Sequence, residues 1–140
     1  MPGVEFQNLF PAESQQPAAP SVLEQRSGKW VEIRFGGKVR SATGFYDFIT
    51  KDGTIYAVRV KLKTGGPKIG HIDMAKGQRV QFAGEIRFSG RRNRGQIRWW
   101  NNGSGHYQPA PAAAHQAGFP IELFREKVPG SPSQPGIPVE

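Results

Sequence analysis

Cysteine is absent from this 140-residue chain, and long apolar runs are absent as well. Without cysteine there is no disulfide framework, no thiolate zinc ligand and no thiol nucleophile. No apolar run approaches the roughly 20 residues that a membrane-spanning helix needs, and the first residues lack the basic-then-apolar pattern of a signal peptide. We therefore expect a soluble protein without a membrane partner. If it is secreted or delivered into a target cell, where it would act in the cytoplasm, we expect another export route.

Proline is concentrated at the two ends of the chain, with four of the twelve prolines in residues 1–27 and four in residues 129–140. Segments of this composition bury too little apolar surface to offset the entropy lost on ordering. We therefore predict a disordered Pro-rich leader at 1–27, a single basic domain at 28–128 and a disordered Pro-rich tail at 129–140. About 100 residues are enough for one modest core.

Acidic residues are scarce in the predicted domain. Residues 28–128 hold 18 Lys and Arg against 7 Asp and Glu, a net charge of +11, whereas the two ends together carry −3. A small domain this basic is typical of proteins that bind a polyanion, such as nucleic acid, a nucleotide or an acidic protein. Solubility alone is the alternative explanation of the charge.

Alternating apolar and polar residues predict a mainly β fold, an antiparallel sheet or small barrel of five to six strands with one short helix. The predicted strands cover residues 29–35, 45–49, 54–62, 78–88, 96–100 and 121–128, and the helix lies near 109–116. The side chains predicted to face the core are Val31, Ile33, Phe35, Tyr56, Val58, Val60, Leu62, Val80, Phe82, Ile86 and Phe88. Gly84 lies on the inward side of its strand, where a glycine permits a bulge or a close backbone approach.

The chain has three histidines, and two of them follow a glycine in a predicted loop: His71 and His106. Both loops adjoin strands with clear alternation. A single histidine of this kind is more often structural than catalytic, but two such loops beside neighbouring strands make a shared site worth testing. His115 lies in an alanine-rich run, so we interpret it as structural.

Glu85 is the one acid within residues 78–107. It shares the polar face of its predicted strand with Arg79 and Arg87, and Arg98 lies on the facing strand. Such a glutamate is either an ordinary cross-strand ion pair or an ionised carboxylate that orients a base or acts as one. The sequence leaves both interpretations open.

Convergence of His71, His106 and Glu85 would suit phosphodiester cleavage by internal transfer. One group removes the ribose 2′ proton, a second protonates the leaving 5′ oxygen, and a cation stabilises the charged phosphorane. Tyr107 is the fourth candidate catalytic residue; either it or Trp100 could stack on a base. The candidate substrate-binding residues are Arg87, Arg98, Trp100, Ser104, Arg91, Arg92 and Arg94.

Other chemistries fit these motifs less well. Ser104 lacks the Gly-x-Ser-x-Gly context of a hydrolase nucleophile, so a turn-capping hydroxyl is the better interpretation. The spacing of the histidines and Asp73 matches no standard metal site, and the glycine-rich residues 64–70 lack the Gly-Lys-Ser/Thr ending of a Walker loop. We therefore expect neither a metal nor a cofactor for the ribonuclease reaction.

Four runs together resemble a known domain: Gly-His-Ile-Asp-Met-Ala at residues 70–75, Val-Gln-Phe-Ala-Gly-Glu-Ile at 80–86, Gly-Gln-Ile at 95–97 and Asn-Gly-Ser-Gly-His-Tyr-Gln-Pro at 102–109. The set resembles a domain at the C-termini of bacterial polymorphic toxins and is also similar to the non-IQ part of plant IQ-motif calmodulin-binding proteins. The likeness covers roughly residues 45–118, and Ser-Gly-His-Tyr-x-Pro is its most specific piece. The matching positions are His71, Glu85, Ser104, His106 and Tyr107.

The toxin resemblance implies a small basic effector domain tethered behind a Pro-rich leader, with an acidic immunity protein as its partner. It names no reaction. No IQ motif is visible in the chain, so calmodulin binding is not implied.

Three functions remain open on the sequence. The first is an effector or toxin acting on nucleic acid, RNA in preference to DNA, as a metal-independent ribonuclease. The second is an ADP-ribosyltransferase or NAD-cleaving toxin, with NAD as its cofactor, although no paired-acid or Ser-Thr-Ser motif supports it. The third is a non-catalytic β-barrel that binds single-stranded nucleic acid through Trp99, Trp100, Tyr107 and the arginines of residues 91–94.

Overall fold

A computed structural model describes residues 4–9, 20–34, 36–60, 71–104 and 107–126. These residues form one antiparallel sheet with the order β3-β2-β1-β5-β4-β6-β7. The strands are β1 (Ser21–Arg26), β2 (Lys29–Ile33), β3 (Val39–Ser41), β4 (Gly44–Lys51), β5 (Thr54–Arg59), β6 (Phe82–Phe88) and β7 (Ile97–Trp100). The helices are α1 (His71–Ala75) and three short 3-10 helices at Arg91–Asn93, Pro111–Gln116 and Ile121–Leu123. The predicted mainly β, antiparallel fold is confirmed, but the described residues form seven strands rather than five to six, because β1 and β3 were not predicted.

The leader boundary predicted at residue 27 is wrong, because Ser21–Arg26 forms β1. This strand pairs with β2 on one side and β5 on the other, and its Leu23 is buried in the core. Pro20 stands just ahead of the strand, where its missing N–H removes no ladder hydrogen bond. Even farther upstream, Phe6 exchanges two backbone hydrogen bonds with Val80. The proline content of residues 1–27 therefore placed the start of the folded domain too late in the chain.

The sheet is rolled so that its two edges come together near Gly95. The N–H of Trp30 donates to the Gly95 carbonyl at 2.9 Å, and the Gly95 N–H donates to the Ala42 carbonyl at 2.7 Å. A Cβ at Gly95 would lie 3.0 Å from the Trp30 carbonyl oxygen, and its φ of +85° also favours glycine. The concave face therefore encloses the main core, whose largest side chains are Trp30, Tyr46, Phe48, Phe82, Phe88, Trp100 and Phe119.

The inward faces predicted for two strands are wrong. In β2 the buried residues are Trp30 and Glu32, while Val31 and Ile33 are half-buried. In β5 the buried residues are Ile55 and Ala57, while Tyr56 and Val58 pack on a second apolar cluster with Ile49, Met74, Ala75, Val80, Ala83 and Tyr107. Both faces at the centre of the sheet are covered, so alternation alone cannot show which face meets the larger core. The predicted positions Phe35 and Leu62 lie outside the described residues.

In the strand predicted at 78–88, Phe82, Ile86 and Phe88 are buried in the main core as predicted, but Val80 precedes β6 and packs in the second cluster. The helix predicted near 109–116 is a 3-10 helix at Pro111–Gln116. The closing strand predicted at 121–128 is wrong: Ile121–Leu123 is a 3-10 helix, after which Phe124 makes a single bridge to Trp100. None of the helices in the described ranges is long and apolar enough to cross a membrane.

Candidate functional site

The two loops that the sequence analysis singled out contact each other on the convex face of the sheet. Tyr107 packs in one cluster with Met74 and Ala75 of α1, and its hydroxyl donates a hydrogen bond of 2.6 Å to the Gln78 carbonyl. Burial raises the pKa of Tyr107 to about 12. The side chain is 1% exposed, so it holds the two loops together and presents no surface to a substrate.

His71 opens α1 and points back to β6. Its Nε2 atom lies 2.8 Å from the Gly84 carbonyl oxygen. A carbonyl can only accept, so Nε2 carries the proton and donates it. The imidazole is therefore anchored beside the residue that precedes Glu85.

Glu85 is held by the first residue of the neighbouring loop, Asn101. The Asn101 Nδ2 donates to Glu85 Oε1 at 3.1 Å, while Asn101 Oδ1 accepts from the Glu85 N–H at 3.0 Å. The same Oδ1 accepts from the Gly103 N–H at 2.9 Å. One amide side chain thus orients the carboxylate and starts the turn of the loop.

Asp47 of β4 lies directly opposite Glu85 in the sheet register. Residues in such a pair project from the same face with their Cβ atoms about 5 Å apart. Asp47 was not among the predicted site residues, because it lies in a short strand and because the register between strands cannot be read from a single segment. The convex face therefore carries two facing carboxyl groups, with the His71 loop anchored one residue from Glu85.

Gly84 allows the 101–104 segment to cross close above β6. A Cβ at Gly84 would overlap the carbonyl oxygen of Asn101 and lie 3.2 Å from the Cα of Asn102. The close backbone approach predicted for this glycine is confirmed. Next in the loop, Ser104 Oγ accepts from the Tyr107 N–H at 3.3 Å, as expected of a turn-capping hydroxyl. Ser104 is 1% exposed, which leaves it unsuited to the substrate-binding role also predicted for it.

His106 lies outside the described residues, so its convergence with His71 and Glu85 stays a prediction. Trp100, predicted to stack on a substrate base, is fully buried on the concave face. Its indole N–H donates to the Pro120 carbonyl at 2.7 Å, and its ring packs against Phe82, Phe119 and Phe124. Stacking by Trp100 is incompatible with this packing.

Trp99, and not Trp100, is the tryptophan of β7 that lies at the surface, where it could stack on a nucleic-acid base. Phe45, Arg87 and Trp99 form one row across β4, β6 and β7. The rings of Phe45 and Trp99 meet edge to face at a centroid distance of 5.4 Å, and both residues are half-buried. The Arg125 guanidinium lies 5.8 Å from the centre of the Trp99 ring, within the range of a cation–π contact.

The remaining predicted arginines are exposed around this row. Arg98 precedes Trp99 in β7, and Arg91, Arg92 and Arg94 lie in the hairpin that joins β6 to β7. We call the following set the arginine face: Phe45, Arg87, Arg91, Arg92, Arg94, Arg98, Trp99 and Arg125. The predicted substrate-binding arginines thus occupy two adjacent strands and the turn between them.

A second polar site, which sequence analysis missed, surrounds Glu32 on the concave face. Glu32 Oε2 accepts from the Ser21 hydroxyl at 2.7 Å, and Oε1 accepts from the Tyr46 hydroxyl at 2.8 Å and from Arg40 Nε at 2.9 Å. Arg59 contributes an ion pair at 3.7 Å to the same Oε1. We call these five residues the Glu32 cluster.

The Glu32 cluster perturbs both of its acids. Burial raises the pKa of Glu32, but the hydrogen bonds from Ser21, Tyr46 and Arg40 and the charge of Arg40 outweigh burial, so the pKa lies below its usual value. Burial, followed by the hydrogen bond to Glu32 and its charge, raises the pKa of Tyr46 to about 12. The cluster therefore holds an ionised carboxylate and a neutral phenol. A signal existed in the sequence, since Glu32 is the one acid within residues 27–46.

Within the part of the chain that the structure describes, no group of three or more His, Cys, Asp or Glu side chains is placed to hold a metal ion. Comparison with protein-family models, with curated proteins and with solved structures finds no match for this chain.

Proposed function

We propose that this domain binds single-stranded nucleic acid through the arginine face. The observation that supports the proposal is a half-buried aromatic pair, Phe45 and Trp99, with six exposed arginines in the same sheet row or in adjoining segments. No Asp or Glu occurs within residues 86–121, which include most of this surface. Residues 86–121 therefore add positive charge to this surface, whose neighbouring acids are Asp47, Glu85 and Glu126.

Single strands suit this surface better than duplexes. Aromatic side chains stack on bases that are splayed out of a helix, and each such contact stabilises binding by about 1–3 kcal/mol. Guanidinium groups bind phosphates with paired N–H donors and stack on bases as well. The arginines of the 91–94 hairpin would bind phosphates of the nucleic-acid backbone, while Trp99 would stack on a base.

Fluorescence anisotropy with a labelled RNA oligonucleotide, measured over a series of salt concentrations, tests the proposal. Neutralising Arg91, Arg92 and Arg94 together should weaken binding and lower the slope of log K against log salt by about 2, because each single-strand phosphate contact contributes about 0.7. Trp99→Ala should weaken binding at all salt concentrations. Arg79→Ala is the matched control, since Arg79 is exposed beyond the other end of β6.

Equal affinities for the triple variant and for Arg79→Ala would contradict binding at this face. A stronger affinity for duplex than for single-stranded RNA of the same sequence would contradict the role of Trp99.

A second candidate function is a metal-independent ribonuclease. It is favoured by the hydrogen bond of His71 to the Gly84 carbonyl, next to Glu85 in β6, and by the hydrogen bond of Glu85 to Asn101. In this reaction the base takes the 2′ proton and the 2′ oxygen bonds to phosphorus. The bond from phosphorus to the 5′ oxygen breaks, and an acid protonates the leaving oxygen. The products are a 2′,3′-cyclic phosphate and a free 5′ hydroxyl.

Incubation of labelled RNA with the protein in EDTA tests this candidate. Cleavage should leave cyclic phosphate ends, and His106→Ala and Glu85→Gln should each slow it by at least about a hundredfold, the usual contribution of acid–base catalysis. A DNA strand of the same sequence is the control, because it lacks the 2′ hydroxyl. Intact RNA after incubation with the wild-type protein would exclude the reaction and leave the binding proposal unaffected.

A further inference from the structure

The Glu32 cluster contains more positive charge than its carboxylate needs. A buried carboxylate must be paired and hydrogen-bonded, and Glu32 already accepts from Ser21, Tyr46 and Arg40. Arg59 adds a second guanidinium, so the two arginines and one glutamate carry a net charge of +1. One arginine would have been enough for neutrality.

Both guanidiniums reach solvent and keep donors for another partner. The side chains of Arg40 and Arg59 are 44% and 31% exposed. Arg40 uses its Nε in the cluster, and Arg59 uses one terminal nitrogen, which donates to the Tyr46 hydroxyl at 3.0 Å. An arginine has five N–H donors in a planar fork, so each retains N–H groups beyond those that the described contacts use.

The arginines are fixed in place by their surroundings. The Arg59 guanidinium lies 5.0 Å from the centre of the Tyr46 ring, and Gly44 leaves room for it, since a Cβ there would be 2.7 Å from Arg59 Nη1. Arg40 is held by Glu32 through its Nε. The two arginine side chains are thus ordered before any ligand binds, so binding an anion costs less conformational entropy.

The surroundings of the cluster are also basic. Besides Glu32, residues 27–46 contain Lys29, Arg34, Lys38 and Arg40 as charged side chains. Arg34 and Lys38 are exposed in the hairpin between β2 and β3. Apart from Glu32, the charged residues that neighbour Arg40 along the chain are therefore all basic.

We propose that Arg40 and Arg59, oriented by Glu32, form a binding site for a phosphate group. Paired guanidiniums match the oxygen geometry of phosphate, and the excess positive charge would attract a phosphate that bridges the two arginines. Glu32 is a positioning residue, because its carboxylate is buried and acts through the arginines. The site does not depend on the arginine face, whose residues belong to β4, β6, β7 and the segments that follow them.

Titration of the full chain with inorganic phosphate at constant ionic strength, with chloride as the balancing anion, tests the site. The Nε–H signals of Arg40 and Arg59 in 15N NMR spectra should shift and saturate. Arg40→Gln should weaken phosphate binding by about tenfold or more, as expected for loss of a charged hydrogen-bond donor, whereas Arg79→Gln should leave it unchanged. Unsaturable shifts, or equal affinities in the two variants, would overturn the proposal.

Arg59→Gln carries a risk of unfolding, so the half-exposed Arg40 provides the primary variant and the wild-type protein provides a second readout. Phosphate should raise the melting temperature of the wild type more than chloride does at equal ionic strength, and Arg40→Gln should remove that difference. An equal rise in both proteins would also overturn the proposal.

The source of the phosphate is distinguished with the variant in which Arg91, Arg92 and Arg94 are alanine. Tighter binding of a 5′-phosphorylated than of a 5′-hydroxyl oligonucleotide would assign the site to a nucleotide phosphate, whereas equal binding with retained affinity for inorganic phosphate would assign it to the free ion. Loss of oligonucleotide binding with retained phosphate binding in this variant separates the two sites.

Discussion

Glu32 and Glu85 are both isolated acids among arginines in the sequence, yet the fold uses them differently. Glu32 is 4% exposed on the concave face and is bound by two arginines, a tyrosine and a serine. Glu85 is half-buried on the convex face, where the Asn101 amide orients it. The difference follows from strand parity, since Glu32 shares its face with Trp30 and Glu85 shares its face with Ala83.

The enclosure of each glutamate determines how many hydrogen-bond donors its carboxylate requires. A carboxylate in the interior is stable only with several donors, and those donors hide it. A carboxylate at the less enclosed face, such as Glu85, remains partly exposed to solvent. We therefore assign Glu32 to positioning arginines and keep Glu85 as the candidate reactive group.

Gly84→Ala should give the largest effect, because it separates Glu85 from the loop that orients it. The new methyl group would overlap the Asn101 backbone, which cannot rotate away as a side chain would, so we expect a loss of more than about 3 kcal/mol in the free energy of unfolding. Gly90→Ala is the matched control. Its Cβ would meet only Thr43 Oγ1 at 3.7 Å. Urea unfolding followed by tryptophan fluorescence measures both, and similar stabilities would show that the loop does not cross β6 so closely.

The comparison of the two glutamates is tested directly by replacing each with glutamine. Glu32→Gln leaves two guanidiniums without their counter-charge and should lower the free energy of unfolding by about 3 kcal/mol, near the low end for a broken buried ion pair because both arginines reach water. Glu85→Gln keeps an acceptor for Asn101 and should lower it by less than about 1 kcal/mol. Equal losses in urea unfolding would mean that the two sites are equally structural.

The sheet could be predicted from the sequence because β6 and its apolar alternation are local features. The faces of β2 and β5 could not. In β2 the alternation places Trp30 and Glu32 on one side and Val31 and Ile33 on the other, and hydrophobicity favours the second. The face with Trp30 and Glu32 is the buried one, because Trp30 packs in the core and Glu32 has four partners there. Those partners belong to other strands, so the β2 segment alone does not reveal them.

The candidate site divides in the same way. Contact between the loops of His71 and Tyr107 was predicted from their glycines and their positions beside strands. The choice of Trp99 over Trp100 depends on which side of β7 turns inward, and a bulge next to Arg87 interrupts the register there. Asp47 could not be found, because its pairing with Glu85 depends on the register between β4 and β6.

Acid should destabilise the protein through Glu32. The folded-state pKa of this carboxyl lies below the ordinary value of 4.5. Its contribution is therefore fully present above about pH 4.5 and is lost as pH falls through the lower folded-state pKa. Urea unfolding between pH 3 and pH 7 should show a shallower acid decline for Ser21→Ala, which lacks one of the hydrogen bonds that lower this pKa. A decline in stability as steep as that of the wild type would show that the Ser21 hydrogen bond does not lower the pKa of Glu32.

Tyr107→Phe, on the convex face, should give the smallest change in the free energy of unfolding among these variants. Phenylalanine keeps the packing against Met74 and Ala75 and loses the hydrogen bond to the Gln78 carbonyl, at a loss of about 1 kcal/mol in the free energy of unfolding at neutral pH. The folded-state pKa of Tyr107 is raised from 10.0 to about 12, so its contribution is present below pH 10 and is lost as pH rises through about 12. The variant should accordingly lose less stability than the wild type between these values, as measured by urea unfolding. If cleavage of RNA by the variant stays at the wild-type rate, Tyr107 holds the loops together without acting on substrate; a hundredfold slower rate with intact stability would return it to the catalytic set.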